Sequence, residues 1–147
     1  MENKNYHRTI TVNASPEEAM KKISQINLWW KKDFSGSAEK LHDDFVVPFG
    51  IEGESFVNFR VSELKPGKKV VWKVTDCFLP WFNDKKEWND TEVVFEISSE
   101  NNKTKIDFTH IGLVPGIECY DACEKGWDGH VKTSLVKLMN EGVGEPA

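Results

Sequence analysis

The segment Ile117–Glu141, IECYDACEKGWDGHVKTSLVKLMNE, follows the turn Pro115-Gly116 and is closed by Gly142, Gly144 and Pro146. At 1.5 Å per residue, an unbroken helix over this segment would run roughly 35 Å, long for a small domain. Tyr120, Cys123, Trp127, Val131, Ser134, Leu135 and Leu138 fall on one side of it, which predicts that this side lies against an apolar surface. Gly126 and Gly129 flank Trp127. Each lowers helical propensity by about 1 kcal/mol relative to alanine, which predicts a bend or a close approach there.

The surface that such a helix needs is written upstream with a period of two. Phe45, Val47 and Phe49 form one inward row; Val57, Phe59 and Val61 form the next, followed by Val70, Trp72 and Val74. Val93, Phe95 and Ile97, then Ile106, Phe108 and His110, continue the pattern. Alternation of this kind places one set of side chains on one face of an antiparallel meander. Turn chemistry at Phe49-Gly50, Lys65-Pro66-Gly67 and Glu100-Asn101-Asn102 separates the runs. A first strand is predicted over Tyr6–Asn13. It is followed by a helix with Ser15 as N-cap, Pro16 in the first turn and Glu18 closing a capping box. Ala19, Met20 and Ile23 give that helix an apolar stripe, and a second short helix carries Ile26, Leu28, Trp29 and Trp30. Cys77–Asn89 is too irregular for a strand and unusually aromatic, which predicts a long loop over one end of the sheet.

The predicted architecture is α+β, a single domain over residues 1–147. A curved antiparallel sheet grips a long C-terminal helix, with two short helices after the first strand. An apolar pocket between sheet and helix is a natural by-product of such curvature.

The chain has 147 residues, a formal net charge of −5, 39% hydrophobic residues, six Trp and nine Phe. No long Lys/Arg block is present, which argues against nucleic acid as a partner. Met1–Asn5 do not open a charged stretch followed by an apolar run, and no run reaches membrane-spanning length. Three cysteines, Cys77, Cys119 and Cys123, supply no pairing framework. A reducing, cytoplasmic location is the expectation.

An ordered set of short stretches then carries a family resemblance: Trp29–Phe34, Gly36–Lys40, Pro66–Trp72, Phe108–Pro115, Glu118–Tyr120, Gly126-Trp127, Ser134-Leu135 and Gly142–Pro146. Together they resemble the START/Bet v 1-like (SRPBCC) superfamily. Within it they resemble bacterial proteins similar to the C-terminal domain of the activator of heat-shock protein 90 ATPase, a link to the stress response. The resemblance implies a helix-grip fold with a hydrophobic cavity, in a superfamily of lipid carriers, hormone binders and aromatase/cyclases. It implies no shared catalytic residues.

The candidate binding residues are Phe59, Trp72, Phe95, Phe108 and His110 on the strands and Cys123, Trp127 and His130 on the helix. Trp81, Phe82 and Trp88 are candidates for a pocket lid or an exposed contact patch. His110 and His130 could hold a polar ligand head; the plainer role for His110 is a hydrogen bond to a loop carbonyl, and for His130 partial solvation. Cys119 and Cys123 are spaced i, i+4 and with a histidine could hold zinc, but the spacing is not Cys-x-x-Cys and buried cysteine commonly acts as a small hydrophobe. No metal, cofactor or catalytic residue is therefore assigned. The leading expectation is non-catalytic binding of a small hydrophobic or aromatic molecule. The alternatives are an interaction module assisting a heat-shock protein 90-type chaperone and, third, a cyclase- or hydrolase-like enzyme.

Overall fold

A computed structural model of the chain describes residues 5–49, 55–79, 83, 85–117 and 120–146, with the Phe49 side chain outside the described set. Strand β1 (Tyr6–Val12) leads into α1 (Pro16–Ser24) and α2 (Ile26–Trp29). The strands β2 (Ser35–Gly36), β3 (Asp44–Phe49), β4 (Ser55–Lys65), β5 (Lys69–Phe78), β6 (Glu92–Glu100) and β7 (Lys103–Ile111) follow. They form one antiparallel sheet in the order β1-β7-β6-β5-β4-β3-β2. The helix-grip α+β architecture is thus the one its alternating pattern predicts. The inward rows are buried from Phe45 and Val47 through Val57, Phe59, Val61, Val70, Trp72 and Val74 to Val93, Phe95, Ile97, Ile106, Phe108 and His110.

Strand β5 runs further than its irregular sequence suggests. Cys77 pairs with Val57 and Phe78 with Phe56, after register shifts at Asn58/Phe59 and Val61/Glu63. These irregularities sharpen the local twist and let β4 and β5 stay paired around the curve of the sheet. Cross-strand pairing therefore overrides the poor strand pattern at Cys77-Phe78.

Ser15 caps α1 by accepting from the Glu18 amide at 3.2 Å. The reciprocal half of the capping box is replaced by an ion pair, with Glu18 Oε1 3.7 Å from Lys22 Nζ. On α2, Ile26, Trp29 and the following Trp30 are buried, whereas Leu28 is 38% exposed.

The C-terminal helix differs most from expectation. It comprises α3 (Tyr120–Trp127), a π-helical segment (Asp128–Leu135) and α4 (Val136–Glu141). The wider i→i+5 turns place more residues in each turn. Residues four apart, Trp127, Val131 and Leu135, consequently all stay buried against the sheet. A Cβ added at Gly126 or Gly129 would meet nothing within 4 Å, so neither glycine serves a close approach. Gly142 ends α4 in the left-handed conformation (φ 84°), its amide bonded to the Leu138 carbonyl at 2.9 Å.

Candidate functional site

The strands and helix bring six of the sequence-chosen residues into one aromatic cluster. Trp72 meets Phe95 edge-on at 4.9 Å and Phe59 at 5.8 Å, and Phe95 meets Phe108 at 5.1 Å. Trp127 descends from α3 to lie 4.7 Å from Phe108 and 5.9 Å from His110. Trp30, which the binding-residue reading left out, sits at the centre, 4.8 Å from Trp127 and stacked on Trp72 at 6.4 Å. Edge-to-face and offset geometries of this kind fill space efficiently and add to the stabilisation from burial. At this level the interval between sheet and helix is occupied by aromatic rings.

Trp88 belongs to the same cluster. It is 6% exposed, edge-on to His110 at 4.6 Å and stacked on Trp127 at 6.0 Å. An exposed contact role is therefore closed to it. The segment that carries it folds back on β5 through Leu79 N–H to the Lys85 carbonyl and Asp90 N–H to the Val74 carbonyl, at 2.8 and 3.0 Å. Trp81 and Phe82, like Cys119, lie outside the described residues. Cys123 is half-buried on α3, packed at the margin of the core.

His110 is wholly buried and hydrogen-bonded through both ring nitrogens. Trp127 Nε1–H donates to Nδ1 at 3.0 Å, which fixes the proton on Nε2. Nε2 faces Thr91 Oγ1 at 2.9 Å, and Thr91 donates in turn to the Trp88 carbonyl at 2.7 Å. Burial pushes the imidazole pKa down to about 3, so the ring is neutral. A histidine so placed orients the cluster and has no nitrogen left for a ligand or a proton transfer. Thr91, invisible as a candidate in the sequence, is the third member of this relay. His130 is half-buried at the edge, 6.1 Å from Trp30, and burial, then the Lys31 charge, holds its pKa below the ordinary histidine range.

Open volume lies beside this cluster, where α1 faces the β4–β5 turn. The turn is pinned to α1 by the Gly67 amide, 3.3 Å from Met20 Sδ. Between them lies a cleft of about 300 Å³ whose apolar wall includes Ile23, Leu64, Val70 and Trp72. Glu17, Lys21 and Glu39 also line it. Trp72 joins the cleft to the aromatic cluster. Its indole Nε1, fully buried, has no hydrogen-bond partner among the described residues.

A polar network closes the far side. Tyr6 Oη donates to Asp128 Oδ1 at 2.5 Å, and Arg8 Nε donates to the same oxygen at 2.9 Å. Arg8 reaches Glu124 Oε2 at 3.1 Å and lies over the Tyr6 ring at 4.4 Å. Burial raises the Asp128 pKa, but the bonds from Tyr6 and Arg8 outweigh it and leave the carboxyl below its usual range. Burial, then Asp128, pushes the Tyr6 phenol up. The network joins edge strand β1 to the first π-helical residue.

With this geometry in place, comparison with known proteins decides the family. The model of the "Activator of Hsp90 ATPase homolog 1-like protein" family matches residues 22–140. The chain belongs to this family. The family is part of the START/Bet v 1-like superfamily, in agreement with the motif resemblance. Among solved structures, an Aha1 dimer from Colwellia psychrerythraea is similar over 95% of this chain and 98% of its own, at 24% identity and a TM-score of 0.75. Protein SSP2350 from Staphylococcus saprophyticus covers 96% and 95% at 10% identity, with a TM-score of 0.71. Protein MLL2253 from Mesorhizobium loti covers 91% and 96% at 13% identity, with a TM-score of 0.66. At these identities the likeness is one of fold. No functionally curated protein matches the chain. Among the described residues no helix is long and apolar enough to cross a membrane.

Proposed function

We propose that this family member is a non-catalytic binding domain for a small apolar or aromatic molecule, acting in the cytoplasm. The observation that carries the reading is the cleft between α1 and the β4–β5 turn, about 300 Å³ in volume with an apolar wall that reaches Trp72. A volume at the lower end of ligand pockets suits a molecule of one or two fused rings. Burial of its apolar surface contributes roughly 25 cal/mol per Å² before association costs. The reading moves the binding space from beneath Trp127 and His110, where rings pack on rings, to the neighbouring cleft, and keeps Trp72 as the residue common to both. A thermal-shift screen of lipids and fused-ring aromatics tests it. A rise in melting temperature that saturates with ligand is expected, and a flat response across the panel would remove the reading.

A second reading, assistance to a heat-shock protein 90-type chaperone, is favoured by family membership. The Colwellia relative is described as a dimer, so self-association belongs to the same reading. Stimulation of the ATPase of a bacterial heat-shock protein 90 homologue by the purified chain is its test. An unchanged ATPase rate sinks it.

A further inference from the structure

The polar part of the cleft lining names a class of ligand. Glu17, Lys21, Ser24 and Glu39 supply its charged and hydroxyl side chains. A Cβ built on Gly67 would come within 3.6 Å of Glu17 Oε1 and 3.9 Å of its Cγ and Cδ, so the Glu17 side chain lies over the β4–β5 turn that forms one wall of the cleft. Glu17 and Glu39 are both exposed, and neither carboxylate has an ion-pair partner among the described residues. The lysines nearby are engaged with other acids: Lys22 with Glu18 at 3.7 Å, Lys65 and Lys69 with Glu63 at 3.6 Å each. Lys68 is exposed and outside the lining, which leaves Lys21 as the lining's one cation. The Ser24 hydroxyl donates to the Lys21 carbonyl at 2.6 Å, so it meets a ligand only as an acceptor. The turn amides are engaged too: Pro66 has no N–H, the Gly67 amide faces Met20 Sδ, and the Lys68 amide bonds to the Lys65 carbonyl at 2.9 Å. Two carboxylates and an acceptor oxygen thus stand against one ammonium, beside an apolar wall.

We infer that the cleft takes an apolar, ring-bearing molecule with one protonated amine, its ammonium placed beside Glu17 and Glu39. The inference rests on the binding reading above and adds charge selectivity to it. An ammonium brings three donors to carboxylates that have no ion-pair partner of their own. The same charges disfavour a carboxylate ligand of equal shape, so discrimination comes from repulsion as well as attraction. Glu17 also lies in the first turn of α1, where the helix dipole favours a negative charge.

Three probes of one ring system test it with the full chain by titration calorimetry at low salt: 2-naphthylmethylamine, 2-acetylnaphthalene and 2-naphthoate. The amine is expected to bind about tenfold more tightly than the carboxylate, with the neutral ketone between them, because an exposed charge interaction changes affinity a few-fold in each direction. Glu17→Gln should cut that ratio to about threefold while the ketone binds as before. Asp121→Asn removes the same charge from the exposed start of α3, outside the cleft lining, and should leave the ratio unchanged. Both substitutions are at exposed positions and leave the core untouched. Equal affinity for amine and carboxylate, tightest binding of the carboxylate, or an equal effect of Glu17→Gln and Asp121→Asn overturns the ligand class and leaves the binding reading intact. If none of the three probes binds, the binding reading fails and this inference with it.

Discussion

Trp127 and His110 face each other across the sheet–helix interface, the indole Nε1–H donating to imidazole Nδ1 at 3.0 Å. This bond fixes the tautomer, and through it the donation to Thr91 and the position of the Trp88 turn. His110→Ala leaves the Trp127 N–H and the Thr91 hydroxyl without their partner and opens a hole in the core. A loss of about 2–4 kcal/mol is expected from the combined cavity and hydrogen-bond terms, measured by urea unfolding. A loss below about 1 kcal/mol, within the range of an ordinary surface substitution, would show that the relay carries no structural weight.

The same burial makes stability depend on pH. The His110 pKa is about 3 in the fold against 6.5 for the ordinary side chain. Between those values the unfolded chain binds the proton and the fold does not, so stability is complete above pH 6.5 and falls as pH drops toward 3. The expected slope is about 1.4 kcal/mol per pH unit within that window. His130, also depressed, adds in the same direction. Unfolding at pH 7, 6 and 5 should show the decline in the unaltered protein and a shallower one in His110→Gln; parallel declines would refute the assignment.

Asp128 receives Tyr6 and Arg8 on one oxygen and ties β1 to the π-helical segment. Asp128→Ala should cost about 1–2 kcal/mol from the lost charge-assisted bonds, a moderate figure because the side chains are partly solvated. Arg8→Lys should fall between the two, since an ammonium cannot reach Asp128 and Glu124 with the same planar fork. Chemical denaturation at low and high salt checks both, and equal stability of all three proteins would contradict the role given to the network.

Ser134 anchors the end of the chain. Its Oγ donates to the Trp29 carbonyl at 2.6 Å and accepts from the Glu145 amide at 2.7 Å. Gly144 lies against the Leu28 carbonyl so closely that an added Cβ would collide with it. Ser134→Ala should lower stability by about 1–2 kcal/mol and speed hydrogen exchange at Glu145, while Gly144→Ala should speed the same exchange by a steric route. Unchanged protection of the Glu145 amide in both variants would show that the tail is held by other means.

Much of this fold is legible in residue order, because a strand with one buried face must alternate. Val57, Phe59 and Val61, or Ile106, Phe108 and His110, have no other economical reading. The π-helical segment is not legible, since Trp127, Val131, Ser134, Leu135 and Leu138 satisfy an ordinary helical stripe equally well. The aromatic cluster is legible in membership and not in purpose: periodicity says that Phe95 and Trp127 point inward, but whether rings enclose a space or fill it depends on their rotamers. Thr91 and the cleft escape notice for a different reason. A threonine at a strand entrance reads as turn chemistry, and the cleft arises where Met20 of α1 meets Gly67 of a distant turn.

The central claim is that the cleft between α1 and the β4–β5 turn is a ligand site. Methyl-resolved chemical-shift mapping with 2-acetylnaphthalene tests it most directly. Saturable shifts concentrated on Met20, Ile23, Ala38, Leu64 and Val70, the methyl-bearing side chains of the cleft, are the expected result. Their absence, or shifts confined to exposed apolar residues elsewhere such as Leu41 and Val143, would contradict the account.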